Sequence, residues 1–178
     1  DGYFGTHASD FFNKYYPKSF KYKCIFYGIE PSLYDNVLDY DKRIKNKILN
    51  SGAVANKKFH NRLFAKLFQG DQDPMKHYKL RTMCNDLPYV TYTTTLGHQY
   101  VGDKYPLLLQ QYRAAIASTT DIYTMKYFEM PASGCLTFME VNDNNYAKNL
   151  GYSNNENAIF INDKNYINKF EEYISDLD

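Results

Sequence analysis

The chain has 178 residues, with 21 Lys plus Arg against 20 Asp plus Glu, so no whole-chain field draws in a polyanion and nucleic acid is excluded as the main partner. No apolar run reaches the roughly 18 residues of a membrane-crossing helix, and no secretory leader is legible. Cys24, Cys84 and Cys135 follow no metal-ligand or disulfide spacing, and His7, His60, His77 and His98 are as scattered. This excludes a sequence-local metal centre and suits a reducing compartment.

In chain order, DGYFGTHASDFFNKYYP reads as a helix stopped by Pro17, followed by the short apolar run KCIFYGIEP. From Lys45 the pattern changes. KNKILNSGAV predicts a strand ending in a small-residue turn, FHNRLFAKLFQG an amphipathic helix closed by Gly70, and PMKHYKLRTMCND a second helix. Strand PYVTYTTT, helix KYPLLLQQYR, strand AAIAS, a helix over 121–130, strand CLTFME, strand AIFIN and helix KNYINKFEEYI complete the series. In the last helix Tyr166, Ile167, Phe170, Tyr173, Ile174 and Leu177 keep helical spacing. Strands alternating with helices of this length predict βαβ units, hence an α/β fold: a Rossmann-like three-layer sandwich on a mostly parallel sheet. Such sheets bind ligands beyond the carboxyl ends of their strands, which directs attention to SGAVANKK, TTTLGHQY, ASTTD and MEVNDNN.

Two of these loops carry chemistry. After the first strand, Ser51, Gly52 and Ala53 let backbone amides approach a ligand, with Lys57, Lys58 and Arg62 following, a combination that suits a diphosphate as well as a solvated basic face. Neither a P-loop nor a G-x-G-x-x-G fingerprint is present, which counts against a standard mononucleotide or dinucleotide site. The second feature is the 121–130 segment. On a helical wheel Ile122, Met125, Phe128 and Ala132 form an apolar stripe, and Glu129 and Asp121 point close to it, within about 80° of each other and about 12 Å apart along the axis. An inward carboxylate needs a partner, and a hydroxyl-rich ligand is one. The structural alternatives are a helix cap for Asp121 and an ion pair with Lys126 or Arg113 for Glu129. His98 and Tyr100 fit an ordinary loop or a nucleobase contact, Tyr105 a core position, Asp143 to Asn145 turn chemistry, and Cys135 a small buried hydrophobe.

The segment KYFEMPASGCLTF, with an acid eight residues before its Glu, resembles the donor-binding motif of GT-B fold glycosyltransferases, of the group 1 and spore-maturation-type branch. The likeness extends more loosely from about Lys45 to the end. It implies the C-terminal half of a GT-B fold, with residues 1–35 the end of the acceptor domain and linker and 36–178 a nucleotide-sugar-binding domain. It further implies a hexosyltransferase-like enzyme of glycan biosynthesis, cytoplasmic or peripheral to a membrane. The reaction is metal-independent transfer from a nucleotide-diphosphate sugar to a glycan, lipid or protein acceptor, with no separate cofactor and with a further N-terminal domain of the same protein as partner. By this likeness Glu129 accepts from ribose hydroxyls, Asp121 stands where the family has Glu against the donor sugar, and the amides of Ile122, Tyr123 and Thr124 meet the diphosphate. Gly52, Lys58 and Arg62 match the turn and its basic positions, while IYT replaces the family's Gly-Phe-Gly run. The likeness names no catalytic residue within the chain, and the rival reading is a non-catalytic α/β ligand-binding or interaction module.

Overall fold

A computed structural model describes residues 3–4, 15, 17, 23–24, 28–64, 67–68, 73–94, 99–121, 123–145 and 147–176. Tyr3–Phe4 (β1) is extended and pairs in parallel with Lys23–Cys24 (β2), where the sequence reading starts a helix. Most of the predicted first helix lies outside the described residues, as do Gly70, His98, Ile122 and Leu177.

The main sheet follows. Strands β3 (Ile44–Ser51), β4 (Val90–Thr93), β5 (Tyr112–Ala117), β6 (Leu136–Glu140) and β7 (Ile159–Ile161) are all parallel, in the spatial order β4-β3-β5-β6-β7. Between them lie α1 (Phe59–Phe64), α2 (Pro74–Cys84), α3 (Tyr105–Leu109) and α4 (Lys126–Ala132), with α5 (Tyr166–Ser175) last. The chain winds outward from β3 to β4, then returns to place β5 on the other side of β3. That reversal is the switch point of a doubly wound sheet.

Alternation along each strand serves two layers. Ile48, Ala114, Ile116, Phe138 and Ile161 face α2 and α5, meeting Leu80, Cys84, Tyr166 and Phe170. Leu49, Ala115, Ala117 and Met139 face α3 and α4, meeting Leu108, Leu109, Tyr127 and Met130. Both faces being covered explains why the strands read as continuous apolar runs. The Phe170 ring lies edge-on to Phe138 at 4.7 Å between centroids, and Tyr166 packs on Phe170 in turn, so the spacing of α5 does what its pattern predicts. The architecture is the Rossmann-like three-layer sandwich.

Two helices depart from expectation. Helix α1 is short, and Leu63 and Phe64, with Leu67 and Phe68 beyond it, stay exposed rather than packing a face onto the sheet. Helix α4 begins at Lys126, not at 121. The wheel drawn through Asp121 is therefore out of phase, and the residues α4 buries are Tyr127 and Met130, with Phe128 only partly covered.

Candidate functional site

The switch point opens a cleft of about 290 Å³ lined by Gly52, Ala53, Tyr78, Arg81, Thr124, Met125, Lys126 and Glu129. A second hollow of about 210 Å³ adjoins it, walled by Tyr100, Val101, Gly102 and Tyr105 and sharing Lys126 and Glu129. Each side chain is brought there by a local reason. Gly52 ends β3 with φ at +109°, outside the range an L side chain accepts without strain, and its N–H donates to the Thr93 carbonyl at 3.0 Å. A Cβ at Gly52 would lie 3.0 Å from Arg81 Nη1 and 3.1 Å from Lys126 Nζ, so the glycine makes room for both cations.

Helix α2 delivers Arg81. Asp73 caps its start by accepting from Met75 N–H at 2.9 Å, with Pro74 in the first turn, and the same carboxylate takes a two-pronged bond from Arg62 at 2.6 and 3.0 Å. That bond holds the Asp73 carboxyl below its ordinary range. The helix is broken at Tyr78 (φ −130°, ψ 30°), whose carbonyl accepts from Thr82 Oγ1 at 2.7 Å, while Thr82 Oγ1 accepts from Ala55 N–H. The Arg81 guanidinium sits 5.0 Å from the Tyr78 ring centroid and is 2% exposed. It donates to the Ser118 carbonyl through Nη2 and to Ala53 O through Nη1 at 3.3 Å, but its Nε has no hydrogen-bond partner among the described residues.

Lys126 opens α4. Its Nζ lies 3.2 Å from both Ser51 Oγ and Tyr105 Oη and 4.9 Å from the Tyr105 ring centroid, and the two hydroxyls are 2.6 Å apart. Burial, helped by the Arg81 charge, pushes the Lys126 ammonium down to about 7, with Glu129 opposing. Burial pushes the Glu129 carboxyl up. Among the described residues, neither Arg81 nor Lys126 forms an ion pair with a carboxylate. Two desolvated basic groups beside one glycine turn offer an anion favourable surroundings.

Behind the cleft, Glu140 at the end of β6 is buried, accepts from Ser118 Oγ at 2.5 Å and from Asn142 Nδ2 at 3.2 Å, and has its carboxyl pushed up by that burial. Asn145, fully buried, donates to the carbonyls of Thr119 at 2.9 Å and Glu140 at 2.7 Å. Its own carbonyl accepts from Tyr123 N–H at 3.1 Å.

The sequence-predicted residues divide accordingly. Gly52, Thr124 and Glu129 line the cleft. Asp121 does not share a helix with Glu129 and is not the cap of α4, which starts after Met125; its carboxylate pairs with His77 Nδ1 on α2. Tyr123 N–H is spent on Asn145, and Tyr123 and Thr124 precede α4 rather than forming its first turn, while Ile122 is outside the described residues. Lys58 is exposed, and Arg62 is taken by Asp73. The cations of the site are instead Arg81 and Lys126. Arg113, an expected partner of Glu129, donates to Tyr40 O and Asp41. Tyr105 is buried as expected, yet its hydroxyl reaches the site. Cys135 is buried, donates to the Leu109 carbonyl at 3.2 Å, and has its thiol pushed up to about 12. Among the described residues no cluster of His, Cys, Asp and Glu is arranged to hold a metal ion, and no helix is long and apolar enough to cross a membrane.

No family model, curated protein or solved structure matches the chain.

Proposed function

We propose that the chain is the donor-binding domain of a GT-B glycosyltransferase, which holds a nucleotide-diphosphate sugar in the switch-point cleft while the sugar passes to an acceptor. The observation that carries this reading is the pair of buried basic groups, Arg81 and Lys126, converging on the Gly52 turn, with Glu129 near them but no described carboxylate in an ion pair with either. A diphosphate supplies the missing charge. As the glycosidic bond breaks, negative charge grows on the leaving diphosphate, and cations already fixed on the Tyr78 and Tyr105 rings stabilise it without reorganising.

Glu129 keeps the role the sequence suggests. It fronts both hollows, half-buried beside the cations, where a carboxylate accepts from two ribose hydroxyls. Diphosphate contact moves from Lys58 and Arg62 to Lys126 and Arg81, and Asp121 drops out of the donor set. The acceptor contacts come from a further domain, so the isolated chain binds donor with little turnover.

The test is a thermal-shift and titration panel with UDP, GDP, ADP, CMP and dTDP and their sugar conjugates. One base should stabilise the fold increasingly with concentration, by about 2.7 kcal/mol at a hundred times its Kd. Glu129→Gln should weaken that binding about tenfold, the loss of one charge-assisted bond, while folding stability stays level or rises. No shift with any nucleotide at millimolar concentration, or a destabilised Glu129→Gln with unchanged affinity, overturns the reading.

A further inference from the structure

Lys126 has surroundings that anion binding alone does not require. Its amine forms part of the wall of both hollows, so a ligand reaches it from either side. Its hydrogen-bond partners are hydroxyls, Ser51 Oγ and Tyr105 Oη, each 3.2 Å away. The Arg81 guanidinium approaches the same point above Gly52, at 3.0 Å against 3.1 Å for the amine. A lysine held dry beside a second cation and among hydroxyls is the arrangement that frees an amine to act as a nucleophile.

We propose that Lys126 is an imine-forming residue, condensing with the carbonyl carbon of a small aldehyde or ketone whose anionic group, carboxylate or phosphate, rests on Arg81. The Nζ lone pair attacks the carbonyl carbon, the C=O π pair moves to oxygen, and that oxygen is protonated to a carbinolamine as nitrogen gives up a proton. Departure of the hydroxyl as water then leaves a C=N bond, so carbonyl plus amine become imine plus water with no change of oxidation state. The neighbours fit these transfers. Glu129, its carboxyl raised by burial, faces both hollows as the acid for the departing hydroxyl. The Tyr105 and Ser51 hydroxyls, 2.6 Å apart, relay the proton that leaves nitrogen. With the ammonium depressed to about 7, the unoccupied site holds part of its population as neutral amine near neutral pH, whereas a bound diphosphate would keep the group charged.

A nucleotide sugar has no free carbonyl, so this activity stands apart from donor binding and either can fail alone. The experiment is borohydride trapping of the intact chain with glyoxylate, with glyceraldehyde 3-phosphate and with uncharged propionaldehyde, followed by peptide mass mapping. The two anionic carbonyls should label Lys126 about tenfold faster than propionaldehyde does, and the faster of them identifies the anion Arg81 prefers. In Arg81→Met the two anionic carbonyls should label Lys126 no faster than propionaldehyde does in the same variant, and Lys126→Arg should remove the adduct. Labelling of exposed lysines with Lys126 no faster than they are, or an anion preference that survives Arg81→Met, overturns the proposal.

Discussion

Two arginines are buried in this chain, each beside a glycine of positive φ, at opposite ends of one sheet. Arg43 precedes β3 at the amino end, next to Gly134 (φ +73°), and Arg81 lies at the carboxyl end, next to Gly52 (φ +109°). The Arg43 donors are spent on carbonyls: Nε and Nη2 on Leu38 O at 2.9 and 2.7 Å, Nη1 on Ser133 O at 2.7 Å. Those of Arg81 are spent only in part: Nη2 donates to the Ser118 carbonyl, Nη1 makes a long bond to Ala53 O, and Nε is unmatched among the described residues. Burial and charge are therefore no guide to role. The guanidinium whose three nitrogens all close on its own backbone fastens the fold, and the one with Nε left over beside a cleft is the one proposed to meet a ligand.

Removing the two side chains breaks the comparison most directly. Arg43→Met orphans the buried Ser133 carbonyl and removes two bonds to Leu38 O, and should cost about 3 kcal/mol in urea denaturation with ligand affinity unchanged. Arg81→Met relieves a desolvated charge but also orphans the buried Ser118 carbonyl, so the two effects oppose and stability should move by about 1 kcal/mol or less while affinity for a phosphorylated ligand falls about a hundredfold. Equal stability losses at both positions would erase the distinction.

The glycines sharpen it at smaller scale. Gly52→Ala forces a strained φ and drives a methyl against Arg81 and Lys126, for an expected loss of about 2 kcal/mol together with weakened anion binding. Gly134→Ala, in the ordinary left-handed region but 3.0 Å from Arg43 Nη2, should cost about 1 kcal/mol and leave binding alone. Calorimetry of the two variants with and without inorganic pyrophosphate separates them.

The smallest effect is in pH. Lys126 has its folded pKa depressed, to about 7 from an ordinary 10.5, so between those values the unfolded chain binds the extra proton and stability rises with pH. Below about 7 the amine is charged in both states and the full penalty of burying it is present; near 10.5 the penalty is gone. From pH 7 to 8 this one group should add about 1 kcal/mol, and Lys126→Met should remove that increment from the denaturation profile. Affinity for an anion moves the opposite way, weakening as the free site loses its proton.

The sheet was legible because both its faces are covered: KILN, AAIAS and TFME are apolar for the same reason that they are central. Helix α5 was legible through Tyr166 and Phe170, whose spacing matches the face they bury. The start of α4 was not, because tertiary bonds decide it. Tyr123 N–H reaches Asn145 and Asp121 reaches His77, and nothing in a helical wheel encodes partners 22 and 44 residues away. Arg81 is not legible as a site residue because LRTMC, the last turn and more of α2, carries no mark of burial, although Leu80, Arg81 and Thr82 are all inside. Lys126 enters the sequence reading only as an alternative ion-pair partner for Glu129; the two do interact through their charges, but the hydrogen bonds of Lys126 go to two hydroxyls from other elements.

Asn145 has a thermodynamic consequence. Its single amide joins the turn after β5, at Thr119, to the end of β6, at Glu140, and its carbonyl fastens Tyr123 on the approach to α4. The segments around the cleft floor therefore lose their freedom when the chain folds, not when a ligand arrives. Association then carries little ordering cost on the protein side, and its heat-capacity change should report the ligand's own buried surface rather than a loop coming to rest.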